Sequence, residues 1–151
     1  MEKISFVDIL NSDKRRSEKA KLVAEKIRSA GNYKWVGIYD VSEKEITIIS
    51  CSGRNEPVFT SFPKDKGLNG KAVMQKQTVI VNDTEKDEDY LLTFTNTKSE
   101  IIVPVFGKDG QTITGTIDAE GEEKDAFTKK DAVFLEECAS AIQPLWSANN
   151  N

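Results

Sequence analysis

Asp118 and Glu120 stand two residues apart at the end of a run, Thr112 to Ala119, that is otherwise apolar or threonine-rich, and Glu100 immediately precedes a second apolar run, Ile101 to Phe106. A strand turns residues i and i+2 to one sheet face, so Asp118 and Glu120 point the same way. Burying a carboxylate without a partner is costly, and the partner best suited to this pair is a cationic group on a ligand. The alternative is a face that is solvated where the strand ends. Trp35 and Tyr39, four apart, also share a strand face, and residue types alone fit core packing as well as pocket lining. Gly67-Leu68-Asn69-Gly70 starts a helix with glycines. It is too short for a nucleotide motif, and reads either as unpaired N–H groups free to meet an anion or as an ordinary glycine-rich helix entry.

Several chemistries are excluded. The 151 residues contain no histidine and two cysteines, Cys51 and Cys138. A Ser-His or Cys-His nucleophile pair is therefore impossible, and a zinc site with about four thiolate or imidazole ligands cannot be assembled. The acidic run from Asp83 to Asp89 lacks the alternating ligands, central glycine and closing glutamate of a calcium loop, and reads as a solvated flap. No cofactor and no metal are expected. The formal charge of −4 argues against nucleic acid, and Lys14-Arg15-Arg16, answered by Glu18 and Glu25, reads as a wet helix face. No apolar stretch approaches the roughly 20 residues that span a bilayer, and the N-terminus lacks a signal-peptide core. A cytoplasmic location without membrane contact is the expectation, and both thiols read as small buried hydrophobes.

The elements that must position these residues follow from periodicity. Residues 4–10 have helical spacing, and Asn11-Ser12-Asp13 offers capping side chains to a longer helix. Ala20, Val23, Ala24 and Ile27 form its apolar stripe, and Ala30-Gly31-Asn32 stops it. Trp35 to Val41 and Glu45 to Cys51 read as a hairpin. A short strand is expected within Val58–Phe62, a short helix from Gly67 through Met74, and another strand over Thr78–Val81. Thr84 to Lys98 reads as a mobile loop or short helix. Ile101–Phe106 and Thr112–Ala119 flank an Asp109-Gly110 turn. Thr128 and Asp131 resemble a capping box for a last helix carrying Ala132, Leu135, Cys138, Ala139 and Ile142 on one face, and Pro144 ends it. The order predicts an α+β domain over residues 1–151, with helices packed on one face of an antiparallel sheet.

Four segments, in this order and spacing, resemble a GAF domain over residues 9–142. They are Tyr33-Lys34-Trp35-Val36-Gly37-Ile38-Tyr39, Gly67-Leu68-Asn69-Gly70-Lys71-Ala72-Val73, Lys98-Ser99-Glu100-Ile101-Ile102-Val103-Pro104-Val105 and Gly115-Thr116-Ile117-Asp118-Ala119-Glu120. The chain is most similar to the stand-alone GAF proteins that reduce free methionine-R-sulfoxide. That resemblance implies a GAF/PAS-like six-stranded antiparallel sheet and a pocket roofed by loops. It makes Trp35 and Tyr39 the walls and Glu100, Asp118 and Glu120 the carboxylates, with Glu120 where the subgroup more often has aspartate. Leu68, Asn69 and Gly70 of the short helix and Tyr90 and Thr93 of the polar loop complete the expected ligand-binding set. The subgroup's cysteines are missing: Thr93 stands at the catalytic position, Asn69 at the resolving one, and the loop before Gly67 has none.

The expected function is a sensor domain that binds an amino-acid-like or small anionic ligand without redox catalysis. The alternatives are a divergent methionine-R-sulfoxide reductase that uses Cys51, or a dimerisation or partner-docking module with a vestigial pocket. The resemblance also implies a homodimer through the terminal helices, and a signalling protein as partner. That seam requires apolar surface on residues 20–27 or 135–142 beyond what the sheet uses.

Overall fold

The computed structural model describes residues 3–54, 56–91 and 96–147. Six strands form one antiparallel sheet in the order β3-β2-β1-β6-β5-β4. Their bounds are β1 Trp35–Val41, β2 Glu45–Ser52, β3 Ser61–Pro63, β4 Val79–Val81, β5 Ser99–Phe106 and β6 Ile113–Gly121. The chain thus makes two hairpins, β1–β2 and β5–β6, and joins them through pairing of β1 with β6. This places the last strand in the middle of the sheet, between the first strand and β5.

Alternation along the strands gives the sheet two unlike faces. Val36, Ile38, Ile101, Val103, Val105, Ile117 and Ala119 form an apolar face against helices α2 (Arg16–Gly31) and α4 (Lys129–Ala141). The two long helices therefore lie on one face, as expected. The short helix α3 (Gly67–Gln75) packs Leu68 and Ala72 against Val79, Val81 and Ile102 on the other.

The apolar stripe of α2 is buried as the spacing predicts, and Asn32 ends the helix in the left-handed conformation at φ 54°. Its start differs from expectation: Arg15 precedes the helix without a side-chain cap. The Ser12 hydroxyl instead donates to the carbonyl of Ile9 at 2.7 Å, closing the preceding turn α1 (Val7–Leu10). At α4 the capping box is present, with the Thr128 N–H donating to Asp131 Oδ2 at 2.8 Å. The expected strand near Val58–Phe62 falls later, at Ser61–Pro63, and Thr84–Lys86 forms a 3-10 turn. Among the described residues no helix is long and apolar enough to cross a membrane. The outward sides of α2 and α4 carry Lys21, Glu25, Lys26, Glu136 and Glu137, and Val133 is the one exposed large apolar residue of α4.

The chain ends are tied across β1. Trp146 follows Pro144 in a terminal 3-10 turn, and its Nε1 donates to Asp40 Oδ1 at 2.8 Å. The Arg16 guanidinium pairs with the same carboxylate and lies 5.5 Å from the centre of the Trp146 ring. Gly115, opposite Asp40, leaves room for that ring: a Cβ there would fall 2.1 Å from Trp146 and 2.5 Å from the Tyr39 carbonyl. Gly115→Ala should therefore cost about 1–3 kcal/mol in urea unfolding. Gly107→Ala, whose Cβ would meet nothing nearer than 3.4 Å, should stay within about 0.5 kcal/mol. Equal midpoints for the two variants would contradict this packing.

Candidate functional site

The polar side of the sheet is the face that α3 covers. Register sets Trp35 opposite Glu120 and Glu120 opposite Glu100, with Gly37 opposite Asp118 in the next row. Three carboxylates from two strands therefore converge. Glu100 is 3% exposed, Asp118 1% and Glu120 2%, and one oxygen from each lies within 4.8 Å of the others. The solvated alternative for this face does not hold.

Donors from three elements orient the group. Asn69 of α3 donates from Nδ2 to Asp118 Oδ2 at 3.0 Å, and its Oδ1 accepts a hydrogen bond from the Thr116 hydroxyl. The Thr97 hydroxyl donates to Glu120 Oε1 at 2.7 Å, while the Thr97 carbonyl accepts from Thr84. Asp118 Oδ1 is sealed from solvent and receives no donor among the described residues. The ion pairs of the described residues lie elsewhere, none reaching Glu100 or Asp118.

Electrostatics follows from this burial. Desolvation raises Glu100 well above the usual carboxylate range, and the neighbouring Asp118 and Glu120 charges push it further. Asp118 is pushed up to about 6 by burial, against the lowering effect of hydrogen bonds with Glu100 and Asn69. Tyr39, buried beside them, is raised first by desolvation and then by the charges of Asp118, Glu120 and Glu100. A close carboxyl pair in such a place holds together by keeping a proton.

Aromatic rings form the apolar half. Tyr39 lies between Trp35 and Phe62, with ring centroids 6.5 and 5.9 Å away. Gly37 admits the indole across the strand, since a Cβ there would sit 2.3 Å from the Trp35 ring. A cavity of about 20 Å³ lies beside the acids, lined by Tyr39, Phe62, Leu68, Asn69, Glu100 and Asp118 among others. That is room for about one water. An open cleft of 610 Å³ lies outside it and shares Phe59, Phe62, Gly67 and Leu91.

The expected site residues are thus brought together unequally. Tyr39, Leu68, Asn69, Glu100 and Asp118 line the inner cavity, while Trp35 and Glu120 are buried in the same face. Tyr90 lines the outer cleft, as does Gly70. The N–H of Gly70 is not free for an anion, because it donates to the Lys66 carbonyl at 3.0 Å. Asn69 enters through its side chain as well as its backbone. Thr93 lies outside the described residues. Residue reading missed Thr116, whose signal was its i−2 parity with Asp118, and Gly37, between two aromatics of one face. Thr97 lies in a stretch with no periodic signal, and Phe62 ends the short expected strand without marking itself as part of the site.

The thiols are separated by the sheet. Cys138 belongs to the α4 core, whereas Cys51 packs near Trp35 and Tyr39. Burial raises both, Cys138 to about 12.

Residues 18–144 match the family model described as GAF domain. The chain belongs to the GAF domain family. This is a small-molecule-binding fold. It is 33% identical to a free methionine-R-sulfoxide reductase of Saccharomyces cerevisiae over 72% of this chain and 60% of that protein. It is 33% identical to GAF domain-containing protein A of Dictyostelium discoideum over 69% of this chain and 64% of that one. The chain thus spans under two thirds of the length of these relatives. Among solved structures, the free methionine-R-sulfoxide reductase of Neisseria meningitidis in complex with its substrate superposes with a TM-score of 0.84. It is 26% identical, and the match covers 95% of this chain and 84% of that one.

The raised carboxyls fix a sign for pH dependence. Unfolded carboxyls titrate near 4, but in the folded site Asp118 does so at about 6 and Glu100 is raised well above its ordinary value. Above pH 4 the folded site holds protons that the unfolded chain has lost, so stability falls as pH rises through these values. In urea unfolding with chelator present, Asp118→Asn should flatten this fall and gain about 1–3 kcal/mol above neutrality. An unchanged pH slope would show that the carboxylates are not strained.

Proposed function

We propose that this domain is a receptor for a small molecule with a cationic nitrogen, a free amino acid or close derivative, and that it performs no sulfoxide reduction. One observation carries the reading: three buried carboxylates share a sheet face, and among the described residues no side-chain cation pairs with Glu100 or Asp118. An ammonium group supplies the missing charge and donors. Tyr39, Trp35 and Phe62 offer the apolar part of such a ligand a wall. The first turn of α3 has no side-chain cap. Its unused N–H groups, at Leu68 and Asn69, suit the ligand's carboxylate; Gly70 is withdrawn from that role. The inner cavity holds about one water as it stands, so a ligand enters by displacement of the Phe59, Phe62 and Leu91 cap.

Against catalysis stands the sequence at the thiol positions implied by the resemblance. Asn69 is committed to Asp118 and Thr116, and Thr93 is no thiol. Reduction of a sulfoxide by one thiol leaves a sulfenic acid that a second thiol must resolve. The reductase reading keeps one point in favour, the placement of Cys51 beside the Trp35–Tyr39 cluster. Burial holds its thiol protonated, which works against attack on sulfur. A docking module with a vestigial pocket explains the fold but not the buried acids. We infer a cytoplasmic setting and a downstream signalling partner. The charged outer sides of α2 and α4 argue against an apolar homodimer seam there.

The test is calorimetric titration with a panel of free amino acids and their N-acetyl derivatives, which lack the ammonium. A free amino acid should bind, and its N-acetyl form should bind at least about tenfold more weakly. Asp118→Asn should cost about one to two decades of affinity. Equal affinity of free and acetylated forms, or an indifferent Asp118→Asn variant, would overturn the ammonium reading. Turnover of methionine-R-sulfoxide with a thioredoxin-type reductant, lost in Cys51→Ser, would establish the reductase instead.

A further inference from the structure

We propose that the groove between α4 and the open side of β5 is a second binding site, for a small apolar carboxylate (an acyl or aryl acid) held by Lys76 and Lys108. The groove measures about 620 Å³, within the size range of small-molecule pockets. It shares no lining residue with the inner cavity or with the outer cleft beside it. The inference goes beyond the receptor function proposed above and does not depend on it.

The early end of β4 creates the groove. β4 pairs only with Glu100, Ile101 and Ile102, so among the described residues no strand covers the outer side of β5 from Val103 onward. Such an edge invites a further strand. Pro104 stands in it, however, and has no N–H to give to a ladder. The groove therefore suits a compact guest better than an extended peptide. Its lining supplies an apolar floor: Val103 and Pro104 of β5 and Ala139 of α4 are buried, and Phe106 is partly exposed.

The charges around that floor select the sign of the guest. Lys76 and Lys108 both line the groove, and no ion pair of the described residues includes either. The acids nearby are already engaged. Glu136 lines the groove, and its Oε2 accepts from the Thr78 hydroxyl at 2.5 Å. Asp109 is turned into its own hairpin turn, where it accepts from the Thr112 hydroxyl and from the N–H groups of Gln111 and Thr112. The Thr112 hydroxyl is the largest of the effects that hold Asp109 down at about 2, and the charge of Lys76 the smallest. Lys76 also ends α3 in the left-handed conformation, at φ 54°. Glycine would be unstrained there, so the lysine is held beside the groove at a cost in backbone strain. Two cations without carboxylate partners above an apolar floor complement an anion with an apolar body, and the long lysine stems can lie along that body.

The test is an NMR titration of the whole ¹⁵N-labelled chain with octanoate, octan-1-ol and octylamine, which share one alkyl body and differ in charge. Octanoate should shift the amide signals of Gln77, Gly107 and Ser140 with a dissociation constant below about 10⁻³ M. The alcohol and the amine should each bind at least about tenfold more weakly. Lys108→Gln should weaken octanoate at least about threefold. Lys76→Gly should do the same while melting no lower than the native chain, because it removes the charge and relieves the backbone together; lost binding in that variant is then not lost folding. Equal affinity for the three probes, octanoate affinity unchanged in both lysine variants, or shifts confined to the carboxylate face would overturn the site. Octanoate binding at these residues without any amino-acid binding would retire the function proposed above and leave this site standing. Amino-acid binding without octanoate binding would do the reverse.

Discussion

Three carboxylates held on one buried sheet face are the constraint around which the rest of this structure is arranged. Their mutual repulsion and lost hydration together oppose full ionisation, so the face is at ease only when a proton or a cation shares it. Every neighbouring feature answers to that demand. Asn69 brings an amide donor from α3, Thr97 a hydroxyl from the loop before β5, and Thr116 steadies Asn69 from the same strand as Asp118. The Asn69 and Thr97 donors each satisfy one carboxylate oxygen, of Asp118 and Glu120 respectively.

The other face of the sheet makes such a site affordable. Ile101, Val103, Val105, Ile117 and Ala119 alternate along β5 and β6 with the polar residues and bury against α2 and α4. Of the strands that present the acids, β6 belongs to the middle pair of the sheet and β5 lies beside it, both held from behind by a dry core. Antiparallel pairing fixes their relative register, and a slip of one residue would turn Glu100, Asp118 and Glu120 into that core. The Arg16–Asp40–Trp146 group ties both chain ends across β1 next to this centre. Local strain at the site is therefore carried by the best-packed part of the fold.

Much of this was legible in the sequence, for reasons that differ by residue. The stripe of α2, the Thr128–Asp131 box and the Asp109-Gly110 turn are local signals whose physics operates within a few residues. Asp118 and Glu120 declared themselves by interrupting an apolar strand with shared parity. What sequence left open was relational. Whether that face is wet or buried depends on α3 arriving over it. The role of Asn69 depends on a contact with residues far along the chain, and Thr97 on the same. The expected caps at Asn11–Asp13 failed because Ser12 found a nearer carbonyl at Ile9, a choice between two partners that local composition does not decide. The Gly70 N–H was lost to the anion reading because α3 uses it for its own first full hydrogen bond.

In the reading proposed above, the carboxylate face, and not the wider cleft outside it, receives the cationic nitrogen of the ligand. The most direct test is a crystal structure with the amino acid that binds most tightly in solution. The account predicts the ligand nitrogen within hydrogen-bonding distance of Asp118 Oδ1 and Glu100, with Tyr39 along the ligand's apolar part. A ligand seated in the outer cleft between Tyr90 and Met74, with the three carboxylates still closed on one another, would contradict it.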